Sequence, residues 1–394
     1  MWPQVEYETL PWHRDDDALA YASKTQRRKI QGTYEAALPA HIANLDVDLN
    51  AELSRRAEEL MVSIARYDQE QANRAYNLPA LMLRSESSSS SQIERLTSSA
   101  RNVALAELSD KTSQNAQLIA ANIAAMREAL AHEGEIDVPL IIRIHDTLVA
   151  GTDAAAGIRT EQVWIGGSFY SPHGAVFVPP HHSRISSYLD DLVAFSAKED
   201  ISPLVKAAIF HAQFETIHPF TDGNGRTGRA LLHAMLAWDD VLRCATIPLS
   251  AGLLSNVDAY MAALDAYHDG HIEPIVEQLL DAVELAIALG AKMSAQFDAL
   301  LNAWNESFAE RKGAKIYELP ALLVEQPVVN TAYVAKRLGI SDRAARDLIA
   351  KACDYGILSK MGNARRGAFY QAPELIEIIE EASSAKGLLR AKAR

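Results

Sequence analysis

The chain has few residues of the kinds that cross-link or interrupt a fold. Its 394 residues include 2 cysteines, 15 prolines and 19 glycines. Cys244 and Cys353 lie far apart in the sequence, and neither has the spacing of a metal ligand. This argues against a disulfide framework and against a zinc site. We therefore expect two structural thiols in a reducing cytoplasm.

Long hydrophobic runs and net positive charge are also missing. No apolar run is long enough to span a bilayer, and residues 1–6 lack a secretory pattern, so we expect a cytoplasmic protein without a membrane segment. The net charge of −13 argues against the body of the protein binding nucleic acid. Residues 315–394 differ, because 13 Lys and Arg against 9 Asp and Glu give +4 and leave −17 on the rest. This basic C-terminal region points to a separate partner.

What the chain does contain is helical periodicity in an ordinary globular composition, 48% hydrophobic and 23% charged. The run 230–238 is apolar nearly all round, which is typical of a buried central helix. Ser202 and Pro203 are suited to the N-cap and first position of the helix before it. Helices are predicted over residues 53–67, 104–132, 139–150, 203–216, 230–238, 260–264 and 275–297. The length allows two or three domains around an all-α body.

Residues 218–229 narrow the function most. They read His-Pro-Phe-Thr-Asp-Gly-Asn-Gly-Arg-Thr-Gly-Arg, and we call them the signature segment. His218 has a side chain whose neutral form can accept a proton near pH 7. Asp222 is a hard oxygen ligand of the kind that Mg²⁺ prefers when it also bridges phosphates. These two residues suit chemistry on a nucleoside triphosphate.

The rest of the signature segment suits anion binding. The small-residue turn 223–225 allows close approach of its backbone N–H groups, and the N-terminus of a following helix would favour an anion there. Arg226 and Arg229 are three residues apart, so both guanidinium groups can reach one polyphosphate. The alternative is a polar loop between core helices with His218 as a cap, but a loop does not need all these types in register.

The signature segment resembles that of the Fic family, His-x-Phe-x-(Asp or Glu)-Gly-Asn-Gly-(Arg or Lys)-x-x-Arg, at every specified position. Members typically transfer AMP from ATP to a hydroxyl side chain of a protein. The resemblance implies that His218 is the general base for the attack of that hydroxyl on the α-phosphate. It also implies that Asp222 holds Mg²⁺ between the α- and β-phosphates and that Phe220 is a buried anchor.

The resemblance further implies a set of nucleotide contacts. Arg226 would meet the β-phosphate region and Arg229 the γ-phosphate. Tyr260 sits where the family often has an aromatic near adenine, although core packing explains it equally well, and His268 stands where relatives commonly have Asn. The implied nucleotide-binding residues are Val163, Ile165, Gly166, Gly223, Asn224, Gly225, Arg226, Thr227, Gly228, Arg229 and Tyr260.

Two short strand-like runs precede the signature segment, at 162–167 and 175–179, with turn residues between them. They predict a β-hairpin. In Fic proteins such a hairpin, here about 158–180, is a flap that aligns the target segment by strand pairing. The residues that resemble the family's flap are Arg159, Gln162, Val163, Trp164, Ile165 and Gly166. The alternative is a hairpin without a function.

Residues 85–94, Ser-Glu-Ser-Ser-Ser-Ser-Ser-Gln-Ile-Glu, have the composition of a linker. Many Fic proteins carry an inhibitory helix with the pattern (Ser or Thr)-x-x-x-Glu-(Gly or Asn), and Ser90 to Glu94 fits it. The resemblance implies a helix around 86–97 whose Glu94 pairs with Arg229 and displaces the γ-phosphate. Arg95 departs from the family's Gly or Asn.

The alternative for this segment is a solvated serine linker with an incidental glutamate. Against that alternative, four apolar residues fall on one helical face. They are Ile93, Leu96, Ala100 and Val103. We therefore favour the inhibitory helix.

The C-terminal region has the order of a winged helix-turn-helix domain. A capped helix at 330–339 ends in glycine, a second begins after Ser341, and short strands follow at 357–360 and 368–370. If this domain binds DNA, the second helix enters the major groove. The DNA-binding candidates are Arg343, Arg346, Arg365 and Arg366. Dimerisation and docking of a target protein are the alternatives.

Together these patterns predict an all-α protein, a Fic-type helical bundle with a small β-hairpin flap and a C-terminal winged helix-turn-helix domain. The predicted bounds are 1–110 for the N-terminal region, 111–300 for the catalytic core and 315–394 for the last domain. The predicted function is autoinhibited, Mg²⁺-dependent protein adenylylation, with ATP and a hydroxyl-bearing target protein as partners. Self-modification, a homodimer and DNA contact stay open.

Two other functions stay open as well. Within the enzyme class, the protein could use another nucleotide donor or remove AMP from a modified protein. In a different class, the protein would be a nucleotide-sensing, DNA-binding regulator. Catalysis needs a base at His218 and nucleotide sensing does not, so a cellular effect that survives His218→Ala would favour the regulator.

Overall fold

The computed structural model describes residues 2–12, 23–74, 76, 78–167, 170–362 and 367–383. Helix dominates this part of the chain, at 60% against 7% strand, which confirms the predicted helical class. None of the helices in the described residues is long and apolar enough to cross a membrane.

The helices and strands are numbered here in chain order. The helices are α1 Lys24–Lys29, α2 Ala51–Ala72, α3 Pro79–Ile93, α4 Ala100–Ala106, α5 Gln114–Leu130, α6 Val138–Val149, α7 Ile185–Ser196, α8 Pro203–Ile217, α9 Asn224–Trp238, α10 Leu249–Leu254, α11 Val257–His268, α12 Glu273–Ser307, α13 Leu319–Glu325, α14 Thr331–Leu338, α15 Asp342–Asp354 and α16 Pro373–Ser383. The strands are β1 Glu6–Pro11, β2 Thr33–Leu38, β3 Val328–Asn330, β4 Ser359–Met361 and β5 Phe369–Gln371. Short 3-10 turns precede α7 and α13.

The chain divides into two compact units. Unit 1 comprises Met1–Glu58, Glu128–Asp239 and Asp258–Leu279. Unit 2 comprises Glu59–Arg127, Asp240–Val257 and Leu280–Arg394. Each unit is therefore assembled from three stretches that are distant in sequence.

Hydrophobic periodicity located most of the long helices. Pro203 lies at the start of α8 as expected, although the Ser202 hydroxyl at the N-cap position makes no capping bond. The single helix predicted over 104–132 is wrong, because α4 and α5 are separate helices. Between them Ser109 Oγ accepts from the backbone N–H of residue 111, and Ser113 Oγ accepts from that of residue 116, both at 3.3 Å. These local bonds compete with a continuous helix.

In unit 1, α8 and α9 pack together, and α6 and α7 lie against them. Both central helices are buried over most of their length. A two-stranded antiparallel sheet, which the sequence analysis missed, pairs β1 and β2 with Glu6 opposite Leu38 and Pro11 opposite Thr33. Ala37 of β2 also donates from its N–H to Val178 O at 3.0 Å. The predicted flap segment therefore borders this sheet.

The predicted β-hairpin is reduced to one antiparallel bridge between Ile165 and Phe177. Ile165 N donates to Phe177 O, and Val176 N donates to Ile165 O, each at 2.8 Å. Gly166 and Gly167 then adopt φ values of 73° and 76°, which turn the chain out of the extended conformation. The extent of both predicted strands was wrong for this reason.

Unit 2 has its own hydrophobic core. One face of α12 packs with α3, α4 and the C-terminal helices α13 to α16. The largest side chains in this core include Met293, Phe297, Leu301, Trp304 and Phe308. Cys353 borders the same core, and both it and the exposed Cys244 are free thiols.

The C-terminal region contains the predicted pair of capped helices. Asn330 and Ser341 accept side-chain capping bonds from Tyr333 N and Ala344 N, and Gly339 ends α14 with φ 62°. The two predicted strands form β4 and β5, and β3 joins them in an antiparallel sheet of order β3-β5-β4. Whether this region is a winged helix stays a prediction.

Candidate functional site

The signature segment forms the connection from α8 to α9. His218 caps the C-terminus of α8 with φ 51° and ψ 61°, a left-handed conformation that costs a non-glycine residue about 1 kcal/mol. Its Nδ1 lies 3.3 Å from Glu215 O, which can only accept. A neutral ring that donates from Nδ1 to this oxygen has its lone pair on Nε2. This is the tautomer that a general base needs.

Arg159 holds the first carbonyl groups of the signature segment. Its Nε donates to His218 O at 2.9 Å, and its backbone N donates to Pro219 O at 3.0 Å. The other guanidinium nitrogens donate to Glu161 O at 2.9 Å and Pro180 O at 2.6 Å. Burial lowers the pKa of Arg159 to about 10, so the side chain stays charged at neutral pH. One guanidinium thus ties the signature segment to both ends of the flap.

His145 of α6 holds the other end of the turn. Its ring stacks on Phe220 with centroids 3.7 Å apart and planes at 4°, and its Nε2 lies 3.1 Å from Asp222 O. Its Nδ1 lies 3.2 Å from Asp146 Oδ1, which also accepts from Gly157 N at 2.7 Å. Both partners of the ring are acceptors, so a neutral ring can donate to only one of them. Burial lowers the pKa of His145 and opposes the protonated form that would satisfy both.

Asn224 closes the turn from within. Its side-chain oxygen accepts from Phe220 N at 2.9 Å, and its side-chain nitrogen donates to Phe220 O at 3.0 Å. Both residues are almost fully buried, as the resemblance implied for Phe220. The backbone that presents His218 and Asp222 is thereby fixed by side chains from three different parts of the chain, Arg159 at the start of the flap, His145 on α6 and Asn224 on α9.

Asp222 points outward from this fixed backbone, and its side chain is 68% exposed. Its Oδ1 accepts from Gly223 N at 2.6 Å, and its Oδ2 lies 3.6 Å from Arg226 Nη2. The described residues contain no cluster of three or more His, Cys, Asp and Glu side chains that would hold a metal alone. One exposed carboxylate fits Mg²⁺, because that ion is often bound by one or two carboxylates together with substrate phosphates.

The turn 223–225 leads into the N-terminus of α9, with Gly223 at φ 80°. Gly228 allows α9 to approach α8, because a Cβ there would lie 2.7 Å from Glu215 Oε1. Thr227 is fully buried on the same helix. The nucleotide contacts of Gly223, Asn224, Gly225, Thr227 and Gly228 stay a prediction.

Arg226 and Arg229 lie in the first two turns of α9 and are only 5% and 1% exposed. Near them, burial and then the charge of Arg229 lower the pKa of His211 to about 3. His211 is therefore neutral at pH 7 and adds no charge beside the arginines. Its Nε2 lies 2.7 Å from Tyr260 Oη. Tyr260 is thus a buried partner of His211, and its predicted contact with adenine stays a prediction.

The flap residues form an exposed edge beside this site in unit 1. Ile165 is 39% exposed and Val176 is 77% exposed, so two large aliphatic side chains beside the bridge face solvent. Trp164 packs edge-on against Trp12 with ring centroids 5.7 Å apart. The nucleotide contacts predicted for Val163, Ile165 and Gly166 remain predictions.

His268 has a packing role in the structure. Its ring stacks on Phe177 with centroids 4.3 Å apart, and its Nε2 lies 3.1 Å from Thr216 Oγ1. Its backbone oxygen accepts from Val5 N at 2.8 Å. His268 therefore joins the flap, α8 and the N-terminal segment.

The serine run in unit 2 is a buried helix. Ser85 to Ser91 lie in α3 and are each 5% exposed or less, which rules out a solvated linker. Asn122 Nδ2 lies 3.1 Å from Ser87 O, and Glu86 accepts from Ser250 N at 2.7 Å. Small side chains let neighbouring helices approach α3 closely.

The helix predicted around 86–97 ends earlier than expected. Glu94 is the C-cap of α3, and Arg95 follows with φ 61°. Arg95 N donates to Gln92 O at 2.8 Å, and Leu96 N donates to Ser91 O at 2.9 Å. This pair of bonds is a Schellman motif, whose left-handed position favours Gly or Asn. Leu96 lies in the turn after α3, and Ala100 and Val103 lie on α4, so the predicted single helical face was wrong.

Two of the four arginines predicted as DNA-binding candidates lie in the described part of the chain. Arg343 and Arg346 are exposed on α15, and Arg346 Nε donates to Asp342 O of its own helix at 3.1 Å. Arg365 and Arg366 lie outside the described residues.

Sequence reasoning missed His145 and His211 and assigned Arg159 only to the flap. The available signal was a histidine on an otherwise apolar helix face, in Ile141–Ile144 followed by His145 and in Ala207–Phe210 followed by His211. That signal indicates a buried polar contact but does not name the partner.

Comparison with known proteins identifies the part of the chain that carries this site. Residues 135–236 match the model of the Fic/DOC family. The chain carries a Fic domain. The match includes the whole signature segment, α6, which supplies His145, and the bridged segments of the flap.

Two curated relatives are named protein adenylyltransferases. The chain is 33% identical over 147 residues to a probable protein adenylyltransferase of Aquifex aeolicus, covering 37% of this chain and 41% of the relative. It is 30% identical over 173 residues to protein adenylyltransferase fic-1 of Caenorhabditis elegans, covering 43% of this chain and 32% of the relative. The chain thus spans less than half the length of each relative.

A solved structure extends the likeness in fold. A Fic family protein from Desulfovibrio desulfuricans superposes with a TM-score of 0.54 at 20% identity, over 83% of this chain and 97% of that one. At this identity the likeness is one of fold.

Proposed function

We propose that this protein transfers AMP from ATP to a hydroxyl side chain of a protein. The observation that carries the proposal is the fixed geometry of the signature segment, in which His218 Nδ1 faces Glu215 O and Nε2 is the nitrogen left to accept a proton. The adenylyltransferase names of the two curated relatives support it. The proposed catalytic core is residues 111–300, acting in the cytoplasm.

In the proposed reaction, His218 Nε2 takes the proton of the target hydroxyl. The hydroxyl oxygen forms a bond to the α-phosphorus of ATP, the bond from that phosphorus to the bridging oxygen breaks, and pyrophosphate leaves. Arg226, Arg229 and the N-terminus of α9 stabilise the charge on the phosphate oxygens. Mg²⁺, when bound, neutralises phosphate charge, and Asp222 would hold it. The protein thus contributes mainly position and electrostatics.

The proposal includes inhibition by the segment that carries Ser90 and Glu94. Its support is that Ser90 is buried in α3 and that the backbone of Glu94 forms the C-cap of that helix, from which its exposed side chain projects. The pairing of Glu94 with Arg229 stays a prediction from the resemblance.

A DNA-binding regulator is less well supported. The exposed face of α15 carries three basic and three acidic side chains, a balanced set that gives no excess charge for phosphate contacts. They are Arg343, Arg346, Lys351, Asp342, Asp347 and Asp354. Lys351 is also paired with Glu310 at 3.0 Å. We therefore propose the C-terminal region as a winged-helix module for protein contact, within this chain or with a partner.

The test is intact-mass detection of self-modification with Mg-ATP. Wild type, Glu94→Gly and Glu94→Gly/His218→Ala are compared, with UTP, GTP and CTP as competing donors. We expect an AMP-sized mass increase for Glu94→Gly that is lost when His218 is also replaced. Binding of ATP to the double variant, measured by thermal shift, controls for folding.

Other outcomes separate the alternatives. A mass increase that matches UMP, GMP or CMP would show that the donor is that nucleotide and not ATP. Loss of AMP from a previously modified protein would indicate the reverse reaction. Modification that persists in the His218→Ala background would contradict the proposed general base.

A further inference from the structure

Helix α16, at the end of the described chain, brackets the turn that carries Glu94. This turn, residues 94–99, joins α3 to α4 and is called here the Glu94 turn. Before it, Gln92 Nε2 donates to Ser383 O at 2.7 Å. After it, Ala100 N donates to Glu380 Oε1 at 3.1 Å. Both partners belong to the last two turns of α16.

Gln326, which follows α13 in the C-terminal region, links the two helices that flank the turn. Gln326 Oε1 accepts from Arg84 Nη2 on α3, and Gln326 Nε2 donates to Ala104 O on α4, both at 3.0 Å. Arg84 also forms an ion pair with Glu107 at 2.8 Å. Arg84 and Gln326 are 2% and 3% exposed, so breaking these bonds would leave buried polar groups unsatisfied.

Apolar packing joins the same elements. Leu81 and Met82 of α3, Ala100 and Ala104 of α4, and Leu375, Ile379 and Ala382 of α16 belong to one hydrophobic core. The Glu94 turn is therefore a short connection between two helices that pack in one core, and α16 binds the chain on both sides of it.

We propose that α16 positions the Glu94 turn and thereby sets the inhibition of the nucleotide site, with Gln92 and Glu380 as the positioning residues. This inference rests on the proposed function, because it requires Glu94 to be inhibitory. The C-terminal region would then act on another segment of the same chain, the Glu94 turn, and not only on a partner. Whatever displaces α16 from α3 and α4 would release the Glu94 turn and activate the enzyme.

The test compares Glu380→Ala and Gln92→Ala/Glu380→Ala with a matched control in the full chain. The control is Glu377→Ala, an exposed glutamate one turn earlier on the same helix. Glu380→Gln keeps a side-chain oxygen that can accept from Ala100 N. Hydrogen exchange of residues 94–100 reports the turn directly, and self-modification with Mg-ATP reports the inhibition.

We expect faster exchange at residues 94–100 and about tenfold more self-modification in the double variant, corresponding to loss of two hydrogen bonds. Glu380→Gln and Glu377→Ala should match wild type. In a Glu94→Gly background, Glu380→Ala should add no further activity, because the inhibitory carboxylate is already absent.

The contrary results are distinct. Unchanged exchange in the double variant would overturn the positioning role, as would an equal increase of activity in Glu377→Ala. Faster exchange without more self-modification, in a protein whose Glu94→Gly form is active, would show that the turn is held without effect on the site. If Glu94→Gly itself transfers no nucleotide, the proposed function fails, and the regulatory inference fails with it.

Discussion

His145 contacts the signature segment twice, through its ring face and through Nε2. The stack on Phe220 is apolar packing, whereas the contact with Asp222 O fixes the backbone from which the exposed carboxylate projects. The chemical types in the signature segment could be predicted from sequence because they are contiguous. The side chains that hold it could not, since His145 and Arg159 reach it from 77 and 59 residues away.

At this residue scale we expect His145→Phe and His145→Gln to differ. Phenylalanine keeps the ring stack but cannot donate to Asp222 O as the Nε2–H tautomer of His145 does, and loss of that bond costs about 0.5–1.5 kcal/mol for a typical hydrogen bond. Glutamine removes the ring but keeps a nitrogen donor. In the Glu94→Gly background, Mn²⁺-ATP binding measured by electron paramagnetic resonance should weaken for phenylalanine and recover in part for glutamine. Equal binding in both variants would contradict a role for Nε2.

At the scale of elements, local chemistry decided where helices end, and periodicity alone did not. Two serine hydroxyls interrupt the helix predicted over 104–132, and the Schellman motif ends α3 at Ile93. The starts of α8, α14 and α15 were predicted well, because Pro203, Asn330 and Ser341 are residues that favour the first positions of a helix. The flap strands were overextended, since two adjacent glycines follow the bridge.

The left-handed Arg95 makes this element testable. Arg95→Gly should raise the free energy of unfolding by about 1 kcal/mol, because glycine adopts φ 61° without the steric cost that arginine carries. The control is Arg66→Gly, an exposed interior position of α2, which should lower it by about 1 kcal/mol. Urea denaturation measures both. A loss of stability in Arg95→Gly would contradict the assignment of strain to this residue.

At the scale of the whole molecule, sequence indicated a helical protein with a distinct C-terminal region but not two units whose stretches alternate along the chain. Each unit is built from three separate stretches. Which stretches pack together depends on tertiary contacts that neither composition nor periodicity encodes. The N-terminal sheet was missed for the same reason, since β1 and β2 pair across a long connection.

Buried histidines give the molecule an expected pH dependence. Burial lowers the pKa of His145 and His268 and brings that of His211 to about 3, against an ordinary value of 6.5. Because the unfolded chain binds protons that the folded chain excludes, their stabilising contribution is present above about pH 6.5 and is lost as the pH falls.

His211→Gln should flatten this dependence. Between about pH 6 and 5, removing one excluded proton should reduce the slope of unfolding free energy by up to about 1.4 kcal/mol per pH unit. Urea denaturation across this range measures the slope, and His271→Gln, at an exposed histidine, is the control. An unchanged slope in His211→Gln would show that His211 is protonated in the folded protein.

The most direct measurement for the central claim is label transfer from ATP to the Glu94→Gly protein. ATP carrying ³²P at the α-phosphate and ATP carrying it at the γ-phosphate are supplied in parallel with Mg²⁺. AMP transfer predicts label from the α-phosphate alone, abolished by His218→Ala. Label from the γ-phosphate would show phosphorylation, and α-label that survives His218→Ala would contradict the chemistry assigned to the signature segment.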